Sequence, residues 1–415
     1  MNLRESTYSL RIQTLSSRMT PPRIRAHALI LILCLWGVCI ADYAKPGLFD
    51  RAGNIKFQDF LPLYASAQMI ERHRAIDLYN PAAVAYDVQT IVRRPSIRMP
   101  SLYGPQVSLL LAPLTRFSFL SAATVWVALS LLIYFACIRV LWRCCPGLQT
   151  YGGTVVLCAI AYPPMFHFFV RAQLSALILL CFSAAFLAMR ADRHFMAGLA
   201  LGVLVFKPQF LVAIPLILFM AREWNILAAL IVSSAAQLTI ARLYFGSAVM
   251  RGYFEMLRNA ALWIGAAELH RAPIQMHSLR SFWTLLFPWP LAATVLYLLS
   301  SIAVIAIAAS IWKSDAPLVL RFSAFLLAAV LANPHLFIYD LLALAAMFLL
   351  LANWSIENAQ RREIPTLRLL LYLAFLIPLF GPLARWTHLQ LSVIVFATLL
   401  WTLHESACSP VSIRN

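Results

Sequence analysis

Long apolar runs alternate along the chain with short polar breaks. Runs that reach or approach bilayer-crossing length lie at 28–45, 119–138, 151–169, 173–190, 195–206, 209–220, 225–245, 290–312, 317–332, 336–353, 367–381 and 385–403. A helix needs about 20 apolar residues to cross the hydrocarbon core. The pattern predicts an all-α polytopic membrane protein with about 12 transmembrane helices. Two of the runs are short and flank Lys207-Pro208. Arg190, Arg193 and His194 precede this pair and Arg222 follows it. Basic loops favour the cytoplasmic side, so an even number of crossings separates them. Two short helices meeting at Lys207-Pro208 are therefore expected, rather than one kinked helix.

The same rule orients the whole chain. Arg4, Arg11, Arg18, Arg23 and Arg25 place the N-terminus inside, with Arg139, Arg143, Lys313, Arg361 and Arg362 on the same side. The expected organisation is a cytoplasmic tail at 1–27, one transmembrane domain at 28–403 and a cytoplasmic tail at 404–415. Two long extracytoplasmic loops, 46–118 and 246–289, interrupt the domain. Amphipathic pieces at 57–73, 78–92, 248–263 and 277–287 have the character of interfacial helices. Pro95, Pro100, Pro105 and Pro113 divide the end of the first loop into short turns. The stretch from Ala28 follows a long basic segment and no A-x-A-type cleavage site follows it, so it reads as a retained first helix.

Composition narrows the class. The chain is 62% hydrophobic and 12% charged, where a soluble domain carries about 25% charge. Several soluble domains are thereby excluded. The eight cysteines lie in apolar segments, at a basic membrane edge or in the C-terminal tail, which implies no disulfide framework. Cys144-Cys145 lacks zinc-site spacing. The net charge of +17 comes without a nucleic-acid module, so no nucleic-acid partner is expected. It fits contact with anionic membrane lipids and an anionic substrate. There is no P-loop, dinucleotide loop, H-E-x-x-H, G-x-S-x-G or D-x-D. Hence neither a metal, a cofactor nor a nucleotide-sugar donor is expected.

The polar residues that need explaining fall on one face, at outer loops and turns: Asp59, Arg171, Gln173, Lys207, Gln209, His277, Arg280 and His335, with Asp340 about one turn further in. A shared outer cavity is the economical explanation. Each also has a structural reading. Asp59 is a favourable N-cap with Pro62 in the first turn. Lys207 can snorkel to headgroups. His277 and Arg280 can share a solvated helix face, and His335 can bond a loop carbonyl. Asp340 is costly inside a membrane and can pair with Arg171 or Lys207. Read together, the set supplies a carboxylate to take a proton from a hydroxyl and cations to hold a departing phosphate. A transporter or flippase of lipid-linked or anionic substrates is the alternative, favoured by the span count and the broken helix at Lys207-Pro208. An enzyme like an O-antigen ligase is a third reading, but it leaves the first-loop acid unexplained.

Several stretches resemble one family in order along the chain: DFLPLYASAQ from Asp59, LYNP at 78–81, SLYGPQVSLLLAPL at 101–114, R-x-Q-x-S at 171–175, AGLALGVLVFKPQ at 197–209, SLRSFW at 278–283 and NPHLFIYDLLAL at 333–344. This resembles glycosyltransferase family 87, the polyprenyl-phosphate-mannose-dependent α-mannosyltransferases. The resemblance implies a C-type (GT-C) fold and a bacterial inner-membrane location with an extracytoplasmic active site. It also implies a polyprenyl-phosphate sugar donor as co-substrate and a glycolipid or glycan acceptor. Asp59 is then the general base. Arg171, Lys207 and His335 belong to the phosphate and sugar pocket. Two departures stand out: Ala172 where Gly is expected, and a single Tyr64 where a Tyr pair is expected.

Overall fold

In the computed structural model, residues 13–94, 102–263 and 275–408 are described. Arg4, Arg11, Pro95, Pro100 and the end of the C-terminal tail lie outside these residues. The described chain is helical, with two isolated bridges (Phe49 with Ile55, Met276 with Phe337) as its extended pairings.

Helix α1 (Pro21–Tyr43) starts at a Pro-Pro pair, the expected place for proline in a first turn, seven residues before the apolar run suggested. It buries only Ala28 and Cys39, so it lies at the periphery. The first loop then forms a 3₁₀ turn (Gln58–Phe60), α2 (Leu61–Glu71), α3 (Pro81–Val92) and α4 (Pro105–Leu111). Asn80 caps α3 by accepting from the backbone N–H groups of Ala82 and Ala83.

Helix α5 (Phe119–Arg143) crosses next. The run expected at 151–169 is broken. Helices α6 (Gly152–Ala161) and α7 (Pro163–Arg171) meet at Tyr162 with a 47° bend, because Pro163-Pro164 removes two backbone donors. Helix α8 (Ser175–Arg190) and α9 (His194–Gly202) follow. After Gly202 the chain tightens into 3₁₀ turns on both sides of Lys207 before α10 (Ile214–Ala221). Two short helical segments meet at Lys207-Pro208, the arrangement that the charge pattern favours. Helix α11 (Trp224–Trp263) is kinked at Gly246, φ 84°, and its second part supplies the amphipathic piece expected after residue 248.

The longer helices that remain are α12 (Leu279–Leu286), α13 (Pro290–Lys313), α14 (Leu318–Leu331), α15 (Ala345–Glu357), α16 (Ile364–Leu376) and α17 (Leu391–Cys408). The core is centred on α14, α8 and the segment Ile338–Glu357. Residues 322–331 of α14 are buried without a break, and most residues of Ile338–Glu357 are buried. A helix apolar on every side belongs in such an interior position.

The twelve expected apolar runs appear as helices of unequal length. Seven described helices are long and apolar enough to cross a membrane, or eight with the bent α6–α7 pair. The other apolar segments, Ser175–Arg190, His194–Phe206, Pro208–Ala221 and Leu318–Leu331, are shorter helices. Chain breaks at Lys207-Pro208 and at the turn after Leu331 shorten the last three, and irregular backbone at membrane depth is tolerated where protein surrounds it.

Candidate active site

Asp59 is presented by a turn anchored on both sides. Phe57 adopts a left-handed conformation, φ 55°, and packs edge-on against Tyr43. Phe60 is fully buried and stacks with Phe119 and Trp126. Between these anchors the carboxylate does not cap a helix: the N-cap of α2 is Phe60, and no side-chain cap bond forms there. Instead Asp59 Oδ1 accepts from Arg171 Nη1 at 3.2 Å, and Oδ2 accepts from Gln173 Nε2 at 2.8 Å. These contacts span more than a hundred residues of sequence. They exclude the capping role.

The partners come from the end of α7. The chain leaves this helix through Ala172, buried at φ 52°, with Ala172 N–H bonded to Phe169 O and Gln173 N–H to Phe168 O. Glycine is usual at such a left-handed C-cap. The turn swings Gln173 back beside Arg171, so both side chains reach one carboxylate. Tyr43 Oη donates to Val170 O at 2.8 Å and ties α1 to the same turn.

Gln173 extends the network inward. Its Oε1 accepts from Tyr103 Oη at 2.9 Å. The Tyr103 and Tyr339 rings lie 5.9 and 5.2 Å from Lys207 Nζ. Lys207 donates directly to Asp340 Oδ1. Ser175 Oγ donates to the same oxygen at 3.3 Å, and Phe337 N–H reaches Oδ2 at 3.4 Å. Burial divides this network in two. The Lys207 and Asp340 side chains are 5% and 1% exposed, whereas Arg171 and Asp59 are 26% and 18% exposed. Lys207 does not snorkel: it is the partner of Asp340. The outer pair is partly exposed and the inner pair is sealed.

A second wall comes from two loops joined by the Met276–Phe337 bridge, with His277 N–H bonded to Leu336 O. Helix α12 begins only at Leu279, so His277 and Arg280 do not share a helix face. His277 is buried and its Nδ1 lies 2.7 Å from Ser392 Oγ, leaving Nε2 without a partner among the described residues. Arg280 Nη1 donates to Pro334 O at 3.4 Å. His335 stands edge-on to Phe337, and its buried Nδ1 has no partner among the described residues. Burial, with Lys207 and Arg280 nearby, pushes its pKa down to about 3, so the ring is neutral. Gln209 is half-buried in the turn after Lys207 and makes no hydrogen bond to the cluster.

The structure thus gathers Asp59, Arg171, Gln173, Lys207 and Asp340 into one bonded network, with Arg280 and His335 beside it. Four contributors do not stand out in the sequence: Tyr103, Ser175, Tyr339 and His167, the last lying near both Arg171 and His277. Ser175, Tyr103 and Tyr339 fall inside the motif stretches, which was their only signal.

An open carboxylate–arginine pair over a sealed lysine–aspartate pair, at the ends of membrane helices, defines a polytopic membrane protein with an acid- and cation-lined site. Residues 102–334, more than half of the chain, match the profile of glycosyltransferase family 87. The chain belongs to that family and is a membrane glycosyltransferase. The match spans Tyr103, Arg171, Gln173, Lys207 and Arg280; Asp59 precedes it, and His335 and Asp340 follow it. No curated protein and no solved structure matches the chain.

Proposed function

We propose that the enzyme transfers mannose from a polyprenyl-phosphate donor to a hydroxyl of a glycolipid or glycan. Transfer occurs at the extracytoplasmic face of a bacterial inner membrane, with inversion. The acceptor hydroxyl gives its proton to Asp59 as its oxygen bonds to the anomeric carbon. The bond from that carbon to the phosphate oxygen breaks, and its electron pair leaves with the polyprenyl phosphate. Phosphate departs without a proton donor, so a second carboxylic acid is not needed. Asp340 is accordingly assigned to bracing.

The supporting observation is the Asp59–Arg171 pair, the partly exposed ionic contact of the cluster. Each Asp59 oxygen already accepts one bond, and a carboxylate has capacity for more. Arg171 and Arg280 offer forked donors to a lipid phosphate. Lys207 is given an indirect role, because Asp340 already occupies its ammonium. It holds the site together between Tyr103 and Tyr339. Neutral His335 is assigned to orient the sugar or acceptor through its free ring nitrogen.

The test uses purified protein in detergent, where no gradient or sidedness exists, with polyprenyl-phosphate mannose and a candidate acceptor. Release of polyprenyl phosphate is expected from the wild type. Asp59→Asn keeps the shape and is expected to lower turnover by about 10²–10⁴-fold at unchanged expression and thermal stability. Near-normal turnover in that variant removes the base assignment. A wild type that releases nothing but moves lipid-linked sugar across vesicles is a transporter instead.

A further inference from the structure

A cavity of about 400 Å³ opens at the other end of α1, between that helix and the α5, α6, α15 and α16 surfaces. Its wall is apolar, with Leu31, Ile138, Val155, Ala352 and Phe375 among the lining side chains. The mouth is different. Arg18, Arg23, His27 and Tyr372 line a second recess beside it, and Arg368 lies within the cavity wall. No Asp or Glu lines either space.

The cavity is far from Asp59. His27 sits near the start of α1, whereas Tyr43 at its end is bonded to the Arg171 turn. The 16 residues between them rise roughly 24 Å. The mouth therefore opens at the membrane face opposite Asp59. Helix α1 closes one side of the cavity but is itself almost unburied. Arg23 Nη1 donates to Arg18 O at 3.2 Å, leaving most of both exposed guanidinium donors free. Tyr372 Oη lies 2.7 Å from His27 Nδ1 across the entrance.

We infer that this cavity is a binding site for an acidic phospholipid of the leaflet opposite the Asp59 site. One acyl chain fills the apolar slot, and the phosphate lies between Arg18, Arg23 and His27. The slot explains the chain and the acid-free basic mouth explains the headgroup. Basic pockets between transmembrane helices recognise lipid phosphates in this way. The inference does not depend on the sugar chemistry.

Native mass spectrometry of the detergent-purified full chain, titrated with phosphatidylglycerol or phosphatidylcholine, tests it. One phosphatidylglycerol is expected to remain bound under conditions that strip phosphatidylcholine. Arg18→Gln and Arg23→Gln, both at exposed positions, are each expected to weaken phosphatidylglycerol binding about fivefold. Ala352→Phe fills the slot and is expected to weaken binding of both lipids. Equal retention of the two lipids by the wild type overturns the headgroup assignment, as do undiminished affinities in both arginine variants. Unchanged binding in a well-folded Ala352→Phe overturns the chain assignment. A lipid-free dimer would show that a helix of a second copy covers the slot, and would overturn the proposal.

Discussion

Single residues decide how the site is held. Ala172 carries the left-handed turn that brings Arg171 and Gln173 to one carboxylate. A non-glycine residue there costs about 1–2 kcal/mol, while its buried methyl returns about 0.8 kcal/mol. Ala172→Gly is therefore expected to shift stability by no more than about 1 kcal/mol. Ala172→Val crowds the same turn with a β-branched side chain, and is expected to lower both the thermal midpoint and transfer activity. At the sealed pair, Asp340→Asn strands a buried ammonium and is expected to cost about 3–5 kcal/mol. Replacing both partners, as Lys207→Met with Asp340→Leu, should recover much of that loss. Thermal unfolding in detergent reads both effects, and additive losses in the double variant would argue against a bracing pair. Asp59 and Asp340 are alike as sequence letters. Their surroundings separate them: one carboxylate is open beside an arginine, the other is closed over a lysine.

Elements fix the spacing of the site. Helix α9 meets α11 through Gly198 and Gly202, a small-x-x-x-small pair that lets membrane helices approach closely. A Cβ at Gly198 would stand 2.1 Å from Ile226 O, and one at Gly202 would stand 2.5 Å from Leu230 O. Both obstacles are backbone atoms, so the helices must move apart. Gly198→Ala is expected to cost about 1–3 kcal/mol, measured as a lower thermal midpoint. Gly153→Ala is the control, since a Cβ there meets nothing within 4 Å. A Gly198→Ala midpoint no lower than the control's would discount the close crossing. The separation matters because α9 leads directly into the turns that carry Lys207. The amphipathic pieces were legible as helices from their patterning. The start of α12 was not, because Ser278 and Leu279 continue the same local pattern as His277 while the Met276–Phe337 bridge holds His277 outside the helix.

At the scale of the whole molecule, hydropathy located the apolar segments but did not show which are full-length helices and which are short. It measures how greasy a segment is, and it misses where the backbone breaks or which neighbours cover it. Leu318–Leu331 shows the difference: as apolar as a lipid-facing span, it is a short helix enclosed by protein. Helix α1, with similar hydropathy, is almost unburied and leaves room for the lipid slot. The charge pattern was more informative at Lys207-Pro208, where it favoured two short helices and the backbone does break. It also collected the unusual polar residues on one face, and the bonded network from Asp59 to Asp340 agrees with that grouping.

The sequence by itself determined the membrane class, the helical segments, the family and most members of the bonded polar cluster, because burial in lipid imposes a composition and polar residues stand out against it. Only the tertiary structure decided which charges pair, which remain open and where the cavities lie. Those outcomes depend on contacts between residues more than a hundred positions apart, and on turns such as the one at Ala172 that aim side chains rather than change their identity.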